Sequence, residues 1–137
     1  MRIIARLDIK GPNLIKAINL EGLKVVGNPN DFAIEYYKGG ADELIFMDMV
    51  ASLYNRNSLH EIIKLASEKI FIPFTVGGGI RSVDDALKIF DSGADKIAIN
   101  TQAVQEPKLI NTLSKRFGSQ AVILSVEAKK ISENKWE

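Results

Sequence analysis

Short runs of consecutive apolar residues alternate along this chain with longer segments in which apolar residues recur every three or four positions. The first kind marks strands buried on both faces. They cover Ile3 to Asp8, Leu44 to Met47 closed by Asp48, Phe71 to Val76, Lys96 to Asn100, and Ala121 to Val126, after which the chain turns polar. The second kind marks amphipathic helices. Leu59, Ile62, Ile63 and Ala66 form one such stripe, opened by the capping-box pattern Ser58-Leu59-His60-Glu61. Ser82-Val83-Asp84-Asp85 repeats that signal and opens a helix that ends before Gly93. Asn30 is expected to cap a helix reaching Lys38, with Phe32, Ile34, Tyr36 and Tyr37 as its apolar surface and Gly39-Gly40 as its stop. Pro107 suits the first turn of a helix reaching Phe117, with Gly118 behind it. Gly11-Pro12-Asn13 breaks the first strand, and residues 14–29 read as a mixed segment ending in the loop signal Gly27-Asn28-Pro29.

Strands alternating with helices at this spacing predict a parallel α/β sheet. A weak internal repeat supports regular units. Gly40-Ala41-Asp42-Glu43 precedes a strand ending in Asp48, and Gly93-Ala94-Asp95-Lys96 precedes one ending in Asn100. Such repetition suits a (βα)8 TIM barrel, which takes about 250 residues. The 137 residues present supply four βα units and a fifth strand. The expectation is therefore an N-terminal half-barrel, an incomplete TIM barrel forming one unit over residues 1–137. An open doubly wound sheet is the structural alternative.

Composition narrows the function classes. Eighteen basic and 17 acidic side chains leave a net charge of +1, which gives no electrostatic reason to expect nucleic acid or an anionic membrane as a partner. The absence of cysteine excludes disulfides and thiolate chemistry and suits a cytoplasmic setting. Charges within MRIIARLDIK argue against a secretory signal, and no apolar run approaches the ~20 residues that span a bilayer.

The strongest local chemistry is Gly77-Gly78-Gly79-Ile80-Arg81-Ser82, directly after a strand and before a helix. Glycines let backbone N–H groups turn toward an anion, and the helix start adds partial positive charge. A phosphate fits that arrangement; a tight turn selected for geometry alone is the other reading. Asn100 and Thr101 end the neighbouring strand and could add donors. Asp8, Asp48 and Glu127 stand at strand ends, where barrel active sites form. Two facing carboxylates can divide acid and base roles, or simply begin loops, which is the favoured reading for Asp48. Arg2, Glu43 and Lys96 stand at strand starts; from pattern alone they read as solvated charges. His60, the one histidine, belongs to a surface helix, and Trp136 lies in the polar tail.

Taken in order, Arg2-Ile3-Ile4-Ala5-Arg6-Leu7-Asp8, Ala41-Asp42-Glu43-Leu44, Phe71 to Arg81, Gly93-Ala94-Asp95-Lys96 and Phe117-Gly118-Ser119-Gln120 resemble one family across the whole chain. It is the cyclase subunit of imidazole glycerol phosphate synthase, matched over its N-terminal half. The resemblance implies a (βα)8 lyase of histidine biosynthesis. Ammonia from a glutaminase subunit would enter at the barrel bottom, cross the lumen and react with a phosphorylated small-molecule substrate. The products would be imidazole glycerol phosphate and an aminoimidazole carboxamide ribotide. By the same resemblance Asp8 is one catalytic carboxylate, and Lys16 is a loop lysine at the active-site mouth. Gly78, Gly79, Asn100 and Thr101 form one of two phosphate sites. Arg2, Glu43 and Lys96 are three of four ammonia-gate charges, and Thr75 lines the channel. No cofactor and no metal are implied.

Two departures stand out. The family's second catalytic carboxylate is an aspartate; here it is Glu127, whose extra methylene moves the group by roughly an ångström, a displacement that can cost about 10²-fold. The family carries a small residue where this chain has Arg6. Period two places Arg2, Ile4, Arg6 and Asp8 on one strand face, so Arg6 is expected inside the barrel, where a charge needs a partner. These changes resemble cyclase-like proteins that pass ammonia to sugars in surface-glycan synthesis. A third reading is a non-catalytic, phosphate-binding half-barrel. A half-barrel alone is expected to be inactive and, with its sheet edges open, to self-associate.

Overall fold

A computed structural model of the chain describes residues 1–18, 22–50 and 57–136. Five strands run parallel: β1 (Ile4–Lys10), β4 (Glu43–Asp48), β5 (Phe74–Gly77), β6 (Lys96–Ile99) and β7 (Val122–Leu124). Their spatial order is their order in the chain, with Ala5 opposite Leu44, Leu44 opposite Phe74, Val76 opposite Ile97 and Ile97 opposite Val122. No strand reverses the direction of winding, whereas a doubly wound sheet must do so at its switch point. The fold is therefore the α/β half-barrel of the (βα)8 class.

Period two explains what holds the sheet. Leu7 and Ile9, Leu44 and Phe46, Phe74 and Val76, and Ile97 and Ile99 are all buried. They share the face covered by α1 (Pro29–Lys38), α2 (Asn57–Lys69), α3 (Val83–Asp91) and α5 (Lys108–Phe117). Phe46 and Phe74 meet edge to face at 5.8 Å, and truncating either to alanine is expected to cost about 3–5 kcal/mol. The opposite, inner face carries Arg6 and Asp8, Glu43 and Met47, Thr75 and Gly77, Lys96 and Ala98.

Several elements differ from the expectations. The first strand does not stop at Asp8 but continues to Lys10, where Gly11 turns it with φ +58°. The supposed mixed segment is a hairpin, β2 (Asn13–Ile18) and β3 (Gly22–Gly27), which pairs with β1 only at Ile9 and Lys10. Leu14 lies opposite Gly27 but Ile15 opposite Val25, so Val26 is an extra residue and the period-two signal breaks.

Asn28, not Asn30, caps α1: its Oδ1 accepts the Asn30 N–H at 2.8 Å, and Pro29 opens the helix. Proline favours the first helical position because its missing N–H is not needed there, which puts the cap before it. Asn30 lies inside the first turn, its buried Oδ1 without a partner among the described residues. α2 starts at Asn57, one residue ahead of the expected cap Ser58, whose side chain lies outside the described residues. Ser82 does cap α3, accepting from the Asp85 N–H at 3.1 Å. The Asp85 carboxylate, however, returns to Arg81 N–H at 3.0 Å rather than to the cap residue.

Pro107 caps α5 rather than sitting in its first turn. The short α4 (Thr101–Gln105) is too brief to leave a periodic signal. The fifth parallel strand ends at Leu124 instead of Val126. The polar tail folds into a small hairpin, β8 (Lys130–Ser132) and β9 (Lys135–Trp136), with Lys130 over the Trp136 ring at 5.9 Å. Among the described residues no helix is long and apolar enough to cross a membrane.

Candidate functional site

A cleft of about 610 Å³ opens at the carboxyl ends of β4, β5, β6 and β7. Its walls include Met47 and Met49, Gly78 to Arg81, Asn100 to Gln102, Gln105, Ser125 and Glu127. The glycine turn is built by two separate demands. Gly78 has φ +104°, and a Cβ there would come within 2.3 Å of the Asp48 carbonyl oxygen. That close packing against β4 would require glycine with or without a ligand. Gly79 has φ +64°, a left-handed conformation that glycine adopts without steric cost. The Asp48 carboxylate accepts the Val50 N–H at 3.0 Å, and Asp48 also lines the cleft.

Asn100 and Thr101 open α4 on the same cleft as Gly78 and Gly79. Glu127 also lines it, exposed, in the segment beyond β7. The strand was expected to carry this carboxylate at its end; instead, irregular backbone does.

Asp8 is placed differently. It lies within β1 opposite Met47, two strands away from the glycine turn that follows β5, and it is not part of the cleft wall. Arg6 lies on the same face, and its Nε donates to Asp8 Oδ1 at 2.8 Å. The partner that an inward arginine needs is thus Asp8 itself. Arg6 Nη2 also stands 3.9 Å from the sulfur of Met49, a cleft residue. Lys16 is exposed on β2, opposite Lys24 of β3, and likewise stands outside the cleft wall.

At the other end of the sheet, the three strand-start charges do not behave as solvated groups. Glu43 is buried, with 3% of its side chain exposed. Lys96 Nζ donates to its Oε1 at 2.8 Å, and the buried Thr75 hydroxyl donates to the same oxygen at 3.1 Å. Arg2 reaches Oε2 at 3.9 Å. Period two explains the convergence: Glu43 and Lys96 begin β4 and β6, Thr75 is the second residue of β5 between them, all three side chains lie on the inner face, and Thr75 lies directly opposite both Ile45 and Lys96.

His60 is tied into the helical layer, with Nδ1 2.8 Å from Ser92 Oγ. The same hydroxyl stands 2.8 Å from the Lys88 carbonyl oxygen. Sequence reasoning passed over Met47, Met49, Gln102, Gln105 and Ser125 as cleft residues. Only Ser125 had a usable signal, its spacing of two from Glu127. Among the described residues, no three histidine, aspartate or glutamate side chains gather as a metal site.

A family profile described as "Histidine biosynthesis protein" matches residues 2–137. Curated relatives carry the name "Imidazole glycerol phosphate synthase subunit HisF". One from Legionella pneumophila is 64% identical over 137 residues, covering 100% of this chain and 65% of its own length. One from Streptococcus mutans is 44% identical over 135 residues, 98% of this chain and 54% of its own length. One from Corynebacterium diphtheriae is 44% identical over 133 residues, 97% of this chain and 52% of its own length. The chain thus spans between about half and two thirds of the length of these relatives.

Proposed function

The chain belongs to the histidine biosynthesis protein family, and from that premise we propose that it forms the N-terminal half-barrel of a cytoplasmic imidazole glycerol phosphate synthase cyclase subunit. In the whole enzyme a glutaminase subunit releases ammonia at the strand-start face. The ammonia passes the Arg2, Glu43 and Lys96 cluster and Thr75, then reaches a phosphorylated acceptor at the opposite face. Asp8 and Glu127 move protons there. Gly78, Gly79, Asn100 and Thr101 hold one phosphate, and Lys16 closes over the mouth from its hairpin. Acid–base chemistry of this kind draws on carboxylates held in different surroundings: Asp8 is paired with Arg6, whereas Glu127 lies exposed on the cleft.

The observation that carries the reading is the buried Glu43, held by Lys96 and Thr75 at the end of the sheet remote from the cleft. A polar cluster on the inner face, away from the cleft wall, suits a passage better than a binding pocket. The test is turnover by the longer protein with ammonium salt and the bisphosphate acceptor, with and without its glutaminase. Imidazole glycerol phosphate should form from both nitrogen sources. Replacing Lys96 with methionine should reduce glutamine-dependent turnover far more than ammonium-dependent turnover. Equal losses, or no product at all, would overturn the reading.

The sugar-amidation reading rests on Arg6 and Glu127, whereas the relatives matched carry the synthase name. Running the same assay with an amino-sugar acceptor separates the two. For the chain itself we expect self-association. β1 is paired by the hairpin only at Ile9 and Lys10, and Leu124 and Val126 are exposed at the other end of the sheet. Unpaired edges of this kind seek partners. Sedimentation at micromolar concentration should show a dimer or larger species, and a folded monomer alone would refute this.

A further inference from the structure

The two Gly-Ala-Asp segments make the same pair of bonds. Asp42 N–H donates to the Ile3 carbonyl at 2.9 Å, and Ile3 N–H donates to Asp42 Oδ2 at 2.6 Å. Asp95 N–H donates to the Phe74 carbonyl at 3.1 Å, and Phe74 N–H donates to Asp95 Oδ2 at 2.9 Å. Each pair closes a ring that clips the start of one strand to the start of its parallel neighbour, β1 to β4 in the first copy and β5 to β6 in the second. One bond of each pair has a carboxylate as acceptor and is therefore charge-assisted. At the seam between the clipped pairs, Leu44 N–H donates to the carbonyl of Pro73 at 3.1 Å, and proline has no N–H to offer in return.

The positions joined are the informative feature. Ile3 follows Arg2, Asp42 precedes Glu43, Phe74 precedes Thr75 and Asp95 precedes Lys96. Every member of the strand-start cluster thus has a clipped residue as its chain neighbour. Among the described residues neither aspartate bonds to the cluster itself. Both are exposed, and Ile3 is 56% exposed, so water could satisfy the first clip's groups without loss to the core. What the clips fix is relative position. The Thr75 and Lys96 bonds to Glu43 cross the seam at 3.1 and 2.8 Å. A slip of roughly half an ångström would take the longer one past hydrogen-bond reach.

We infer that Asp42 and Asp95 are positioning residues for the ammonia passage. Acting through backbone, the first holds Arg2 against Glu43 and the second holds Thr75 against Lys96, so that the two pairs meet across the seam. This rests on the reading of the cluster as an ammonia gate.

Turnover of the longer protein with its glutaminase, measured with glutamine and with ammonium salt, tests it. Asp42→Ala and Asp95→Ala should each lower the ratio of glutamine-dependent to ammonium-dependent turnover at least ~5-fold, the order of one lost charge-assisted hydrogen bond. A merely structural role would lower both rates with the folded fraction, and an unchanged ratio overturns the proposal. Asp42→Asn and Asp95→Asn keep an acceptor oxygen and lose the charge, so they should restore most of the ratio. A ratio as low as in the alanine variants would mean that the charge meets the glutaminase directly, and would also overturn the clip. Lys96→Met separates this from the gate reading. If it leaves the ratio unchanged, the gate fails and the inference with it; if it lowers the ratio while the alanine variants do not, the inference fails alone. Should circular dichroism show the alanine variants unfolded, Asp42→Glu and Asp95→Glu decide. Their added methylene displaces the acceptor at constant charge, and an undiminished ratio there overturns the proposal.

Discussion

Replacing Glu43 with leucine tests whether the strand-start cluster is a coupled unit. Two partners lose their acceptor at once. Thr75 is fully buried, so its orphaned hydroxyl costs about 1–3 kcal/mol. Lys96 retains 23% of its side-chain exposure and can turn its ammonium toward water. Its loss should therefore fall below the ~3–5 kcal/mol of a fully buried broken pair, at about 1–2 kcal/mol. Arg2, 67% exposed and 3.9 Å away, should contribute under about 0.5 kcal/mol. The sum is about 3 kcal/mol, a large part of the 5–15 kcal/mol typical of a whole domain. Lys96→Met leaves a buried carboxylate without its nearest cation and should cost a similar amount. The double replacement leaves only Thr75 unsatisfied, so it should cost much less than the two singles combined. Urea denaturation of the four proteins gives the coupling, expected at about 3 kcal/mol, the upper end for residues in contact. Additivity within about 0.5 kcal/mol would refute a cluster centred on Glu43.

Gly78→Ala should cost about 2–4 kcal/mol, because its Cβ would meet the Asp48 carbonyl oxygen at 2.3 Å in a left-handed backbone. Gly11→Ala, also left-handed but with nothing within 4 Å, should cost only about 1 kcal/mol; equal thermal shifts would contradict the packing argument. Asn28→Ala should lose about 1 kcal/mol of helix capping, whereas Asn30→Ala, which removes a buried unpaired oxygen, should be near neutral or stabilising. The reverse ranking in thermal melts would return the cap to Asn30. Glu127→Asp in the longer protein should change turnover with ammonium salt by at least about 10-fold, since a shift of roughly an ångström is enough to do so. Unchanged turnover would show that this exposed side chain is not at the reacting atoms.

The five parallel strands were legible because each carries a short apolar run, and the order Gly-Ala-Asp before two of them announced the repeated unit. The β2–β3 hairpin was not. Its bulge at Val26 breaks the period, and its edge position leaves Leu23, Val25 and Val26 exposed, so no buried face disciplines the sequence. The Asn28 cap was obscured by two asparagines flanking one proline. The chemistry of Gly78 and Gly79 could be read locally because a strand, a glycine run and a helix follow in line. The convergence on Glu43 could not be read from pattern alone, since it depends on three strand starts meeting across the sheet, and isolated charges at loop boundaries look solvated. Arg6 was placed on the inner face by period two, but its partner was not foreseen, because that partner is only two residues along the same strand.

The two faces of the sheet divide stability from chemistry. The helix-covered face is closed by a continuous apolar core from Leu7 to Leu113, and none of Arg6, Asp8, Asn100, Thr101 or Glu127 belongs to it. A substitution at those positions therefore changes the inner surface without opening a cavity, and its stability cost should stay within the range of ordinary surface changes. Arg6 carries a charge onto the inner face, where Asp8 is its one charged partner among the described residues and the Met49 sulfur its other contact. Glu43 is the exception that marks the boundary. It lies on the inner face yet is buried and triply contacted, so there, and at its partners Lys96 and Thr75, loss of function and loss of stability should arrive together.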